Sequence, residues 1–175
     1  MRFLTRFAAI TVAILLTGCA FLDEGTPNVC PSTAILDDAG ELVRFASAPP
    51  KGPGDIAFQT RMKRLTLLCE VDDKSVEMDL FAAMEVVRGP ANPKGEAKFV
   101  YFIAILDKDK NILNRIKFPM IAQFQRRETK LEFTEDMVVT IPKKETALPK
   151  DFYVYLGFEM TPEELAYNRK RRQIR

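Results

Sequence analysis

The chain contains no histidine and no tryptophan. Histidine is the usual general base near neutral pH and the commonest zinc ligand, so Ser-His-Asp and Cys-His catalysis are excluded, along with most transition-metal sites. Charge of one sign is lacking too: 26 basic residues stand against 24 acidic ones in 175. No global field therefore argues for nucleic acid or for an acidic substrate. No apolar run is long enough to cross a bilayer, because Phe7 to Leu16 supplies about ten residues where a spanning helix needs roughly twenty.

The chemistry that remains is poorly arranged for catalysis. Asp72-Asp73 lies in a predicted turn and Glu163-Glu164 in a predicted first helical turn, where carboxylates are expected for structural reasons. Ser32, Ser47 and Ser75 have no nucleophile-elbow context. Asp107-Lys108-Asp109-Lys110-Asn111 resembles the opening of a calcium loop, but Ile112 and Phe118 occupy the places of its glycine and its bidentate glutamate. A β-turn is expected there. The chain reads as a non-enzyme that needs no metal and no cofactor.

Its N-terminus is the most informative segment. A short cationic stretch with Arg2 and Arg6 precedes the apolar run, and Thr17-Gly18 leads into Cys19. These are the three zones of an export signal. Leu16-Thr17-Gly18-Cys19 resembles the lipobox of bacterial envelope lipoproteins. That resemblance implies diacylglyceryl transfer to the Cys19 thiol, removal of residues 1–18, and acylation of the new amino terminus. One acyl chain anchors only marginally, at about 0.8 kcal/mol per buried methylene, whereas three would hold essentially permanently. In the family's best-studied sorting system an aspartate after the lipidated cysteine retains the protein in the inner membrane. Ala20 stands there instead, which implies the periplasmic face of the outer membrane. The Cys30-Pro31 pair and the segment Thr161-Pro-Glu-Glu-Leu-Ala-Tyr-Asn-Arg169 are similar to small alphaproteobacterial envelope lipoproteins, a likeness that implies no particular activity.

Loss of the signal takes Arg2 and Arg6 with it and brings the basic and acidic counts level. It also settles the odd cysteine number. With Cys19 carrying lipid, Cys30 and Cys69 remain, and an exported chain with an even remainder usually pairs it. A Cys30–Cys69 disulfide is expected.

Residues 19–29 read as a lipidated tether, extending at most about 33–36 Å. Residues 30–175 read as a single domain. Thr33–Leu36 is a short strand, and 37–45 a turn followed by a brief helix or a second extended piece. Pro49–Gly54 is a loop. Ile56, Phe58, Thr60 and Met62 alternate with polar neighbours, and the apolar phase then shifts to Leu65, Leu67, Cys69 and Val71, which predicts a β-bulge or a bend between two strands. Asp72–Ser75 makes a hairpin turn into the alternation Val76, Met78, Leu80, Ala82, Met84 and Val86. Phe99–Leu106 suits a central strand covered on both faces. Pro119 marks a bulge or an edge strand within 112–125. Leu131 to Ile141 and Phe152 to Met160 complete the set.

About seven strands with turns at near-regular spacing predict an all-β, antiparallel, immunoglobulin-like sandwich, with a small β-barrel as the alternative. The antibody-type Cys-Trp-Cys signature is absent, so the likeness is one of architecture and carries no function. One helix is predicted, from Pro162 to about Lys170. Thr161 is its N-cap, Glu164 completes a capping box, and Met160 and Leu165 sit at the staple positions.

Two features are candidates for contact with other molecules. Arg169, Lys170, Arg171, Arg172 and Arg175 form a basic tail that either binds phosphates, anionic headgroups or an acidic protein face, or stays solvated beside the helix dipole. Tyr101, Phe102, Phe152, Tyr153, Tyr155 and Phe158 make two strands aromatic, and strand alternation turns some of them away from the core. Any left exposed would form a protein-docking surface. The expected role is that of an adaptor, membrane-bound through Cys19 and docked on an envelope protein complex. A lipid- or glycan-binding module is the alternative.

Overall fold

Strict alternation over Val76 to Val86 yields the deepest element of the structure. Six side chains of that run, Val76, Met78, Leu80, Ala82, Met84 and Val86, are 1% exposed or less. A strand side chain so buried contributes about 1.5–3 kcal/mol by leaving water. The computed structural model describes residues 30–47 and 52–173. The signal, Cys19, the tether, part of the Pro49–Gly54 loop and Arg175 lie outside the described residues.

Eight strands form two sheets of four. One sheet has the order β1 (Ser32–Ile35), β8 (Tyr153–Phe158), β5 (Glu96–Leu106), β6 (Ile112–Gln123). The other has the order β2 (Glu41–Phe45), β3 (Ile56–Val71), β4 (Ser75–Arg88), β7 (Lys130–Pro142). Every pairing is antiparallel except β1 with β8. The result is an all-β sandwich, immunoglobulin-like in its layering, and not a closed barrel. Strands β2, β3 and β4 run as a meander and β5–β6 is a hairpin, while the other connections pass from one sheet to the other.

The phase shift on β3 is a bulge within one strand: its register against β4 moves between Met62 and Arg64. Before it the even-numbered side chains face the core, and after it the odd-numbered ones do. This change turns Cys69 inward, where it is bonded to Cys30 with the Cα atoms 5.9 Å apart. The disulfide joins the entry to β1 in one sheet to β3 in the other. Residues 41–45 resolve as strand rather than helix, because Leu42 and Val43 lose their surface by pairing with Thr60 and Gln59 on β3.

Between β4 and β5 the chain turns at Gly89, whose N–H donates to the Ala57 carbonyl. A Cβ at this position would lie 2.0 Å from the Ile56 carbonyl oxygen. Only glycine allows so close an approach.

Helix α1 (Pro162–Gln173) extends three residues beyond its expected end. The capping box forms as anticipated: Thr161 N–H donates to Glu164 Oε2 (2.9 Å) and Glu164 N–H to Thr161 Oγ1 (3.3 Å). The extra turn has a physical cause, since Arg171 and Arg172 in it reach carboxylates of the β1–β2 segment. The helix packs along β2, with the Tyr167 ring edge-on to Phe45 at 5.2 Å. Asn168, only 3% exposed, donates to the carbonyls of Asp38 (3.1 Å) and Glu41 (2.6 Å).

Candidate docking surface

The two aromatic strands divide their rings between the faces of one sheet. Tyr101, Phe152 and Phe158 enter the core. Phe102, Tyr153 and Tyr155 stand on the outer face of the β1–β8–β5–β6 sheet with Ala104 and Leu106. Cross-strand register sets Phe102 between Gly157 and Lys117, and Ala104 between Tyr155 and Arg115. Gly157 leaves the space that the Phe102 ring fills, for a Cβ there would come within 3.1 Å of Cζ of that ring.

Cations cover this apolar strip. The Arg115 guanidinium lies 4.0 Å from the Phe102 ring centroid and is fixed by Glu159 at 2.7 Å, which also holds Lys117 at 3.2 Å. Lys110 lies over the Tyr153 ring and donates to the Tyr155 hydroxyl at 3.2 Å. A positive φ of 67° at Lys110 ends the β5–β6 turn and aims the side chain back over β8. In that turn Asp107 accepts the backbone N–H groups of Asp109 and Asn111 and the Asn111 side-chain amide, which holds its carboxyl below the usual range. The segment that resembles a calcium loop is therefore a closed turn whose first carboxylate is already occupied. Beside it, Ile112 and Leu113 are 64% and 52% exposed. Contrary to the expectation of exposed rings, Phe102, Ala104 and Leu106 are buried beneath these cations and Tyr153 and Tyr155 are half-buried, so the face presents a cationic cover over aromatic side chains, bordered by exposed aliphatics.

A trough of about 1020 Å³ runs from this face to helix α1. Leu36, Phe102, Met160 and Leu165 supply its apolar wall, while Arg115, Arg169 and Arg172 are matched by Asp37, Asp38 and Glu159. Of the basic tail, Arg169 binds Asp38 at 2.8 Å, Arg172 binds both Asp38 and Asp37, and Arg171 pairs with Glu41. These contacts hold the Asp38 carboxyl below its ordinary value. Lys170 is exposed, and Arg175 lies outside the described residues. The tail's described arginines are thus engaged within the domain, and an outside anion would have to compete with three carboxylates.

The acidic pairs have structural employment. Asp72 accepts the N–H groups of Lys74 and Ser75 and the Ser75 hydroxyl, closing the β3–β4 hairpin. Glu163 and Glu164 occupy the first turn of α1. On the outer face of the other sheet, Glu85 is gripped by Lys130 and Arg61. Its neighbour Glu132, bonded first by Lys130 and then by Lys63, titrates at about 2. Carboxyls held so firmly in the ionised form make poor proton donors. Among the described residues, no group of three or more acidic or cysteine side chains is placed to hold a metal.

Sequence reasoning overlooked Glu135. It sits on the core-facing side of β7 between Phe133 and Met137 and accepts the Tyr101 hydroxyl at 3.3 Å. Burial and that carboxylate raise the Tyr101 phenol above its ordinary value. The signal was present: an acid interrupts the apolar phase Leu131, Phe133, Met137, Val139. Lys110 and Arg115 gave no comparable sign, because their roles depend on which strand lies beside β5.

No protein-family model and no curated protein matches the chain. Among solved structures, a β-glucuronidase from glycoside hydrolase family 2 is similar over 53% of this chain and 10% of its own length, at 10% identity and a TM-score of 0.30. The chain spans about a tenth of that enzyme, and a likeness of this degree supports no activity.

Proposed function

We propose that the protein is a lipid-anchored lipoprotein of the cell envelope, attached through Cys19 and facing the periplasm, which serves as a non-enzymatic adaptor on an envelope protein complex. The observation that carries this reading is the Cys30–Cys69 disulfide. Such bonds persist outside the reducing cytosol, and this one follows directly on a segment with the zones of an export signal. Ala20 after the lipidated cysteine favours the outer membrane over the inner. The surface offered to the complex is the face where Lys110 covers half-buried Tyr153 and Tyr155 and Arg115 covers Phe102, beside the exposed Ile112 and Leu113. A second reading, a module that holds a lipid or glycan, draws on the trough beneath α1.

Crosslinking in intact envelopes, with the wild type compared against Cys19→Ser, tests the adaptor role. One stoichiometric protein partner, lost with the anchor and also lost on Ile112→Asp, is the expected result. Recovery of a defined lipid or glycan without a protein would replace the adaptor by the ligand module. Metabolic labelling with an alkyne fatty acid tests the anchor separately: label on the wild type and none on Cys19→Ser is expected, and an unlabelled wild type would refute lipidation.

A further inference from the structure

An open sandwich has strand edges, and each is a row of N–H and C=O groups ready to pair with another strand unless something prevents it. Helix α1 lies along β2. Among the described residues, no second strand pairs with β3 beyond its bulge, but Cys69, bridged to Cys30, ties the entry of β1 to that run. On β6 the protection is a proline. Val100 accepts the Glu159 N–H, so its polar groups point to β8, and Pro119 opposite it turns its backbone to the open edge. Pro119 thus interrupts the donor row where it removes no bond to β5, and Arg115 and Lys117 precede it on the same face.

Among the described residues, no helix, disulfide or internal proline interrupts the open edge of β7, and the charges that guard it, Glu132, Glu135 and Asp136, are all acidic, so they repel an acidic or apolar strand and admit a cationic one. Lys143 N–H donates to the Lys74 carbonyl and Arg88 N–H to the Thr129 carbonyl, which fixes the hydrogen-bond phase of the β4–β7 ladder. Odd-numbered residues of β7 bond to β4. The backbone groups of Glu132, Thr134, Asp136, Val138 and Thr140 therefore point away from the sheet, and among the described residues no strand pairs with them. Proline appears only at the end of the strand, at Pro142. Core side chains on this flank, Phe118 and Met120 of β6 and Leu131 and Phe133 of β7, are only partly buried. A further strand beside β7 would complete their burial.

The charge on this edge states what fits it. Glu135 faces the gap with one oxygen on Tyr101, while Asp136 is exposed on the other face. A second copy of the chain fits badly: the antiparallel register that uses the whole edge sets Asp136 opposite its own counterpart, and like charges so placed repel. Residues 20–29 of this chain carry Asp23 and Glu24 and no cation, and they join the domain at Cys30, across β4 from this edge. We infer that β7 is a site of strand addition for an extended segment of another protein, in which apolar residues alternate with lysine or arginine. The apolar side chains of that segment seal the Phe118–Phe133 flank, and its cations, which alternation places on the opposite face, meet Asp136. This is a property of the sandwich itself and does not rest on the adaptor role or on lipidation.

The probe is a capped peptide of about nine residues alternating valine and lysine, long enough to cover the edge at strand spacing. It is added to the full-length protein in detergent micelles while backbone amide exchange is followed by NMR. Exchange at Glu132, Thr134, Asp136, Val138 and Thr140 should slow by at least about tenfold, with the amides of Arg115 and Lys117 unchanged. Thr134→Pro, which removes a donor from the open edge and none from the β4 ladder, should abolish the protection and weaken binding by about tenfold or more. Asp136→Lys, on an exposed side chain, should shift the preference toward a valine–glutamate peptide. Four results would overturn the inference: no protection of the even-numbered amides, equal protection by the valine–glutamate peptide, protection that appears on β6 instead, or protection of the same five amides without peptide in a protein of dimer mass.

Discussion

Asn168→Ala should loosen helix α1 more than removal of the charged contacts that surround it. The Asn168 amide, 3% exposed, is the donor to two backbone carbonyls, those of Asp38 and Glu41. A buried acceptor left without a donor costs about 1–3 kcal/mol. Water reaches both carbonyls in part, since Asp38 and Glu41 are themselves half-buried, so a total of about 2–3 kcal/mol is expected. By contrast, the side chains of the Arg169–Asp38 and Arg172–Asp37 pairs are 59% and 41%, and 44% and 85%, exposed. Pairs of that kind contribute about 0–1 kcal/mol each and weaken further in salt. The assay is amide exchange along α1 in wild type, Asn168→Ala, Asn168→Asp and the Arg169→Ala/Arg172→Ala double variant. Asn168→Ala should speed exchange roughly 30- to 140-fold. Asn168→Asp, which keeps the shape but replaces the donor by an acceptor, should do at least as much. The reasoning fails if the double arginine variant, or about 1 M salt on the wild type, releases the helix as fully as Asn168→Ala does.

The Cys30→Ala/Cys69→Ala variant should lose about 4 kcal/mol in urea unfolding, the chain-entropy value for a separation of 39 residues; a loss under about 1 kcal/mol would mean that the bridge constrains little. Acid should destabilise the fold through Glu132, whose carboxyl is lowered from 4.5 to about 2, chiefly by its hydrogen bond with Lys130. A depressed acid stabilises fully above its unfolded value and loses that contribution as pH falls through its folded one, so the thermal midpoint should drop between pH 4.5 and about 2. Lys130→Met should flatten this acid limb, and an unchanged slope would remove Glu132 from the account. Gly89→Ala should cost about 3 kcal/mol or more, because the new Cβ meets backbone rather than a movable side chain; a wild-type thermal midpoint would show that the β4–β5 turn yields freely.

Much of the fold was legible because period-two alternation maps directly onto burial. The Val76–Val86 run, the phase shift near Arg64 and the capping box at Thr161 each have a local cause, and each appears where local chemistry placed it. The basic tail is visible in the sequence as a run of cations, but what it binds is not, because its partners Asp37, Asp38 and Glu41 lie more than a hundred residues away in sequence. The aromatic strands posed the same difficulty. Alternation dictates that some rings face out, but which ones depends on the register of β5 with β8 and β6. Strand order was the least legible. It decides that Pro119 and Glu135 stand on edge strands, and the sequence shows the proline and the inward acid without showing which edge each one occupies.

The Cys30–Cys69 bond also governs how the domain would bear a mechanical load. Any pull from the N-terminal side enters at Cys30, next to β1, a strand of four residues that among the described residues pairs with β8 alone. Without the bridge that force would rest on the four residue pairs that join β1 to β8. With it, tension passes through a covalent link into β3, a strand of 16 residues bound to β4 along most of its length. There the load is shared with a far longer ladder, so the shortest of the described strands is relieved of the force that arrives beside it.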